Sequence, residues 1–257
     1  MPESSDQNIS LKISIVTAVY NNRETVVGAI ESILTQSFSN VELVVIDGGS
    51  IDGTLDALST YRDRISVLVS EPDSGIYDAL NKGIRLASGD VVGFLHSDDL
   101  LADEHALKRV ADAFADPDVD AVYGDLVYVR RSDPTEVVRY WRAGEFKVDN
   151  LSWGWMPPHP TFYVRRHLYE RLGGFDVTYR IAADYDCMLR LLMSGIRVRY
   201  LPDLLVRMRV GGASNRSIGN MLLKSREDYR ALAQNGIGAL RALIGKNLRK
   251  LPQFFVR

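Results

Sequence analysis

"KISIVTAVY", Lys12 to Tyr20, and "VELVVID", Val41 to Asp47, decide how the rest of the chain is read. Both are nearly unbroken runs of apolar and β-branched residues, the composition of strands covered on both faces in a parallel sheet. Between them Val26, Ile30, Ile33 and Leu34 share one face of a helix that Asn21 or Asn22 is placed to cap. This strand, helix, strand unit repeats. Asp52 to Tyr61 is predicted helical before the strand "ISVLVS", Ile65 to Ser70. A helix from Ile76 then carries Ile76, Ala79, Leu80, Ile84 and Ala87 on one face and Asp78, Asn81, Lys82 and Arg85 on the other. It leads into "VVGFLHSDDL", Val91 to Leu100. Alternation of this kind predicts a doubly wound α/β sheet, in which ligands sit beyond the carboxyl ends of the strands.

Three of these strands end in groups suited to a ligand, "TAVYNN", "IDGGSIDGT" and "HSDD", and their tops are expected to share one crevice. After Leu101 the rhythm loosens. A helix around Asp103 to Ala115, alternating segments "DAVYGDLVYVRR" and "EVVRYW", a loop "LSWGWMPPHPTFYVRR", a helix from about Ala182 to Ser194 and a strand near Val198 to Val210 predict mixed structure extending the same sheet antiparallel. From Asn215 the sequence reads as helical and basic.

With 257 residues, 46% hydrophobic and 25% charged, the chain has ample apolar material for one large domain or two small ones. A net charge of -2 gives no broad attraction to nucleic acid, so any anion site must be local. The single Cys187 excludes an internal disulfide and a cysteine-based zinc cluster, and suits a reducing compartment. The opening "MPESSDQNIS" is polar, and there is no uncharged apolar run of the roughly 20 residues that span a bilayer. The expectation is a cytoplasmic chain with a flexible tail over residues 1–10.

Asp98 and Asp99 close an apolar strand. Adjacent carboxylates repel and lose hydration in a cleft, so a positive partner is expected, and magnesium or manganese suits such hard oxygen ligands. The plainer reading has Asp99 capping the next helix. In "IDGGSIDGT" the glycines suggest a tight turn, and Asp47, at the strand end, is the better functional residue. Neither phosphate-loop fingerprint, G-x-x-x-x-G-K-[ST] or G-x-G-x-x-G, is present. In "YRIAADYDCMLRLL" Asp186 shares a helix face with Arg190 and reads as a surface ion pair. Asp184 faces the apolar side with Cys187, Met188 and Leu191, near a helix N-terminus; the helix dipole favours its ionised form, and partial burial should raise its pKa toward that of a general base.

Taken in order, "SIVTAVYNN", "VVIDGGSIDGT", "GIYDALNKGI", "GDVVGFLHSDD", "PPHPTFYVRR" and "GGFDVTYRIAADYDCMLRLL" resemble the family 2 glycosyltransferases of GT-A fold, above all bacterial enzymes of surface-polysaccharide assembly such as O-antigen and exopolysaccharide. The resemblance implies a Rossmann-like mixed sheet flanked by helices and an inverting transfer from a nucleotide-diphosphate sugar (UDP, GDP or dTDP) to an acceptor hydroxyl. It implies a catalytic domain over residues 11–214, with a nucleotide-sugar half (11–101) and an acceptor half (102–214). Thr17, Ala18, Tyr20 and Asn21 match the loop that meets the nucleotide, and Asp47 the first acid of the next loop. Asp73, Asn81 and Lys82 match the segment contacting base, ribose and diphosphate. Ser97 and Asp98 match the donor end of the DxD motif, with Asp98 the metal carboxylate, Asp99 beside it and His96 a third candidate ligand. Asp184 matches the catalytic base. The chain departs from the pattern at Gly48, where many members have a second Asp, and at His96, where DxD begins with Asp.

His159, between prolines, is a candidate contact for the acceptor or leaving group, and Trp155 or Trp153 for stacking on a sugar; packing explains each as readily. The segment 215–257 carries Arg241, Lys246, Arg249, Lys250 and Arg257 among Leu240, Leu243, Ile244, Leu248, Leu251, Phe254 and Phe255. It fits a helix packed on the catalytic domain, a homo-oligomer contact, or a helix lying on the inner-membrane surface near a lipid-linked saccharide acceptor. Two other readings stay open: a sugar-nucleotide-binding subunit without activity, and a sugar nucleotidyltransferase.

Overall fold

The computed structural model describes residues 11–211 and 218–248. The tail 1–10, the stretch 212–217 and the basic end 249–257, with Arg249, Lys250, Leu251, Phe254, Phe255 and Arg257, lie outside the described residues. The first strands form where the apolar runs demanded them: β1 (Ile13–Val19) and β2 (Val41–Asp47), then β3 (Val67–Ser70) and β4 (Val91–Phe94). All pair in parallel, β1 lying between β2 and β4 and β3 outside β2. The helices α1 (Val26–Leu34), α2 (Thr54–Ser59) and α3 (Ile76–Leu86) make the crossovers. A Cβ on Gly83 would stand 2.2 Å from Val16 Cγ1, so only glycine lets α3 lie this close to β1. Asn21 and Asn22 do not cap α1 with their side chains. Its N-cap is Thr25, whose hydroxyl donates to Asn22 Oδ1 at 2.8 Å and also lies 3.0 Å from the Ser97 carbonyl oxygen.

The second half adds β5 (Leu100–Leu101), α4 (Ala106–Ala113), β6 (Ala121–Val129), β7 (Val137–Trp141), β8 (Tyr163–Arg165), α5 (Arg166–Leu172), α6 (Ala183–Met193) and β9 (Val198–Arg209). One nine-stranded sheet results, in the order β3-β2-β1-β4-β8-β6-β9-β5, with β7 also on β6. The extension is not uniformly antiparallel. β8 runs antiparallel to both β4 and β6, whereas β9 is parallel to β6. β8 thus reverses the sheet and puts the loop before it, with His159, next to the end of β4.

Alternate residues of β1 feed two cores. Ile13, Ile15 and Val19 pack with α1 and α4 on one face; Val16 and Ala18 pack with α3 and α6 on the other. The second core also takes in Ala231 and Leu232 from α7 (Ile218–Gln234) and Ala239 and Ala242 from α8 (Ala239–Leu248). The C-terminal helices are therefore packed onto the body of the sheet domain through this core. Their closest approach needs two more glycines: a Cβ on Gly154 would be 2.1 Å from the Ala242 oxygen, and one on Gly245 2.2 Å from the Trp153 oxygen.

Candidate active site

The site lies beyond the carboxyl ends of β1, β2 and β4. Asn21, with φ of 45°, turns the chain sharply after β1; its N–H donates to Ser50 Oγ at 2.8 Å and its Oδ1 accepts the Ile51 N–H at 2.9 Å. The loops after β1 and β2 are thus tied together. Asn22 joins the third, its amide donating to Ser97 Oγ at 2.9 Å. The sequence is right that these strand ends converge.

Individual residues behave less uniformly. Asp47 is fully buried, and its carboxylate accepts from Gly49 N–H at 3.1 Å, Ser50 N–H at 3.0 Å and the Ser70 hydroxyl at 2.7 Å, with the Ser50 hydroxyl bonded as well. It is the keystone of its own loop. Asp73 Oδ2 stands 2.6 Å from where a Cβ on Gly48 would sit, so the carboxylate of Asp73 fills the space that a side chain at 48 would need. Tyr20 is 63% exposed at the rim, whereas Thr17 and Ala18 are buried and Thr17 Oγ1 has no partner. Asn81 both donates to the Phe175 carbonyl oxygen and accepts the Phe175 N–H, each at 2.8 Å, which binds α3 to the loop before α6. Lys82 is held by Glu71.

Asp98 and Asp99 part company. Asp98 is half-buried at the cleft, with Arg131 Nη1 3.9 Å from its Oδ2. Asp99 is 1% exposed and turns inward, its Oδ1 accepting the Arg209 N–H at 3.1 Å while Oδ2 has no partner. Burial, then the charge of Asp98, push its carboxyl well above the usual range, toward the neutral acid. Asp99 thus faces inward to Arg209, whereas Asp98 faces the cleft and Arg131. Asp99 is not a helix cap, because β5 intervenes before α4. Arg209 also donates to the Asp98 carbonyl oxygen at 2.6 Å, which fixes the turn.

Three groups gather with Asp98. His96 and His159 have ring centroids 5.9 Å apart, and His159 stacks on Phe94 at 5.3 Å. Burial pulls His96 below its ordinary pKa although the charges of both Asp98 and Asp184 act on it. Burial likewise brings His159 down to about 4 against the pull of Asp184. Both rings are neutral at pH 7, and His159 Nε2 is buried without a partner. Asp184, second residue of α6, completes the group. Its Oδ1 accepts the Tyr185 N–H at 2.8 Å, and the Tyr77 hydroxyl, which donates to the Ile181 carbonyl oxygen at 2.5 Å, lies 3.3 Å away.

The expected rise in the pKa of Asp184 is not found. Burial does raise it, but His159, Lys224, the Tyr185 N–H and Lys246 together hold it below the ordinary carboxylate value. Asp186 does pair with Arg190 at 2.9 Å, yet buried rather than on the surface, with Asn235 donating to its other oxygen. Trp155 also departs from expectation: it is in the core, donating to the Ala143 carbonyl oxygen at 2.8 Å, and offers no sugar platform. Trp153 is exposed, with the Arg241 guanidinium 3.4 Å from its ring centroid.

The sequence reading missed Tyr77, Arg131, Arg209, Lys224 and Lys246. Tyr77 lies inside a quoted motif, so its neighbours were a signal. The two lysines sit on helices whose basic character pointed outward to a surface.

A crevice at the carboxyl ends of parallel strands, an acid at its edge and a second acid on a facing helix define a GT-A-type glycosyltransferase. S. aureus TarS 1-349 shares the fold at a TM-score of 0.68 and 19% identity over 94% of this chain and 72% of that one. So does the mannosyltransferase PcManGT from Pyrobaculum calidifontis, at 0.67 and 21% over 95% and 73%. The chain belongs to glycosyl transferase family 2, whose model matches residues 14–181. Among its relatives, a PGL/p-HBAD biosynthesis glycosyltransferase of Mycobacterium bovis is 31% identical over 217 residues, 82% of each chain. An uncharacterized glycosyltransferase of Nostoc sp. is 28% identical over 216 residues, 80% of this chain and 66% of its own.

Proposed function

We propose that this glycosyltransferase moves a sugar from a UDP, GDP or dTDP donor to a hydroxyl of a saccharide or lipid-linked saccharide, with inversion, in the assembly of a surface polysaccharide or glycolipid. The observation that carries the reading is the ionised Asp184, facing two neutral imidazoles and Asp98 at the mouth of the donor crevice. The acceptor O–H gives its proton to Asp184 as its oxygen bonds to the anomeric carbon. The bond from that carbon to phosphate oxygen breaks on the opposite face, its electron pair leaving with the nucleoside diphosphate. His159 Nε2 meets the acceptor or the leaving oxygen. Fold neighbours described with UDP-GlcNAc and with GDP-Man and Mn2+ support this class of donor.

Among the described residues no cluster of three His, Cys, Asp or Glu side chains is close enough to hold a cation unaided. Asp98, with the neutral His96 beside it, fits magnesium or manganese in the shared mode, in which one or two protein ligands and the substrate's phosphates complete the shell. An ion held by these residues would supply charge neutralisation for the departing diphosphate.

The test is thermal stabilisation by a panel of UDP, GDP and dTDP sugars with and without manganese, followed by nucleoside diphosphate release. Stabilisation by none of them, or pyrophosphate release from a nucleoside triphosphate, removes the proposal. For the membrane contact, no helix among the described residues is long and apolar enough to cross a bilayer. Exposed Leu240 and Ile244, one turn apart on α8, with Trp153 beside α8 under Arg241, support a contact with the cytoplasmic membrane surface. Co-sedimentation with anionic vesicles should be lost in L240S/I244S.

A further inference from the structure

We propose that the α7–α8 helix pair belongs to the catalytic apparatus, with Glu227 the positioning residue that sets the start of α6 and, through it, the carboxylate of Asp184. The inference rests on the reading of Asp184 as the base. Glu227 is buried, and its two oxygens accept three successive backbone N–H groups: Arg180 at 2.9 Å, Ile181 at 2.9 Å and Ala182 at 3.0 Å. These are the last residues before α6, where amides lack partners within the helix, and Asp184 follows two residues on. An anion cradled by consecutive amides at a helix N-terminus is a strong and directional restraint. It comes from a helix more than forty residues away in sequence.

The same pair of helices reaches the site a second time. Asp228, next to Glu227 and also buried, is bridged by Lys224 at 3.5 Å and Lys246 at 2.8 Å. Lys246, from α8, lies 3.5 Å from the ring centroid of Tyr185, the residue after Asp184. Burial, then Lys224, bring its ammonium down to about 8, so it is still largely charged at pH 7. Around Asp184 stand Tyr77 from α3, His96 after β4, His159 before β8, and Lys224 and Lys246 from α7 and α8. The two lysines are the ammonium groups in that set, and the charge of each lowers the pKa of Asp184. A helix pair that only covered apolar surface would need neither the triple amide contact nor the two lysines on a buried Asp228. Tyr179 and Arg230 tie the same loop to α7 through Gln234 and Thr178.

The experiment compares the full chain with Glu227→Ala, Glu227→Gln and Asp184→Asn. It reads amide hydrogen exchange over residues 180–186, UDP and GDP affinity, and nucleoside diphosphate release from UDP-GlcNAc and GDP-mannose with manganese. In Glu227→Ala the amides of 180–182 should exchange about tenfold faster, as expected for a lost hydrogen bond. Release should fall roughly 100-fold, the penalty for a misplaced catalytic group, with nucleotide affinity kept within about twofold. Glu227→Gln, which retains an acceptor oxygen, should recover part of both. Unchanged exchange, wild-type release, or a nucleotide affinity that falls in step with release overturns the proposal. Exchange needs no turnover, so it decides the placement of Glu227 whichever donor is used. Asp184→Asn turning over at the wild-type rate would instead remove the base assignment, and leave the exchange result standing.

Discussion

Both ends of the parallel strands bury carboxylates, and, the fully bonded Asp47 apart, they treat them in opposite ways. At the amino end Glu42, beside Ser14 on β1, takes four donors: Lys12 Nζ at 3.1 Å, Ser88 Oγ at 2.6 Å, Ser88 N–H at 2.7 Å and the Ser14 hydroxyl. At the carboxyl end Asp98 has one arginine at 3.9 Å, Asp99 leaves an oxygen unpaired, and His159 Nε2 has no partner. A buried polar group is normally satisfied, and an orphan costs about 1 to 3 kcal/mol. The satisfied end is built for stability. The other carries that cost where a donor and an acceptor would relieve it.

The comparison is broken most severely at Asp184. Asp184→Asn keeps the size and the neighbours of the side chain but removes the proton acceptor. Nucleoside diphosphate release should fall by roughly 100-fold or more, with nucleotide affinity and melting temperature near wild type. A variant that unfolds instead would move Asp184 to the structural side of the divide.

At the amino end the expectation reverses. Glu42→Ala takes the acceptor from the Ser14 and Ser88 hydroxyls and the Ser88 N–H, and should cost about 2 to 3 kcal/mol of stability, read in a urea midpoint, while turnover of the folded protein is unchanged. Burial pushes the Glu42 carboxyl up, but hydrogen bonds from Ser14, Ser88 and Lys12 outweigh it and bring it from 4.5 to about 2. The unfolded chain therefore binds a proton before the native one does, and the stability Glu42 contributes is fully present above about pH 4.5 and lost as pH falls toward 2. Glu42→Ala should flatten that limb of the stability curve. An unchanged acid limb would show the network to be ornamental.

How much of this was visible in the sequence follows the same divide between local and distant causes. β1, β2, α3 and α6 were legible because apolar period and strand composition are local, and α3 began at Ile76 as the spacing requires. The approach of Asp184 to His96, beside Asp98, was legible only through ordered motifs. The inward turn of Asp99 was not, since it depends on Arg209, 110 residues on, where β9 meets β5. The burial of Trp155 and the role of Glu227 were hidden for the same reason: "REDYR" reads as a solvated charge run until α7 is folded back over α6.

The finest test falls on His159, where the two explanations given by the sequence, packing and participation, still compete. Its ring stacks on Phe94 and meets Phe175 edge-on at 5.7 Å, so an aromatic hydrocarbon fits the packing. His159→Phe removes the unpartnered Nε2 and keeps the ring contacts. With an orphan nitrogen gone, the melting temperature should hold or rise slightly. If Nε2 meets the substrate, release should fall about tenfold, the worth of one hydrogen bond near 1.4 kcal/mol, at unchanged nucleotide affinity. A full wild-type rate in a protein at least as stable would make His159 a packing residue, and would show that an orphan at the carboxyl end of this sheet need not await a ligand.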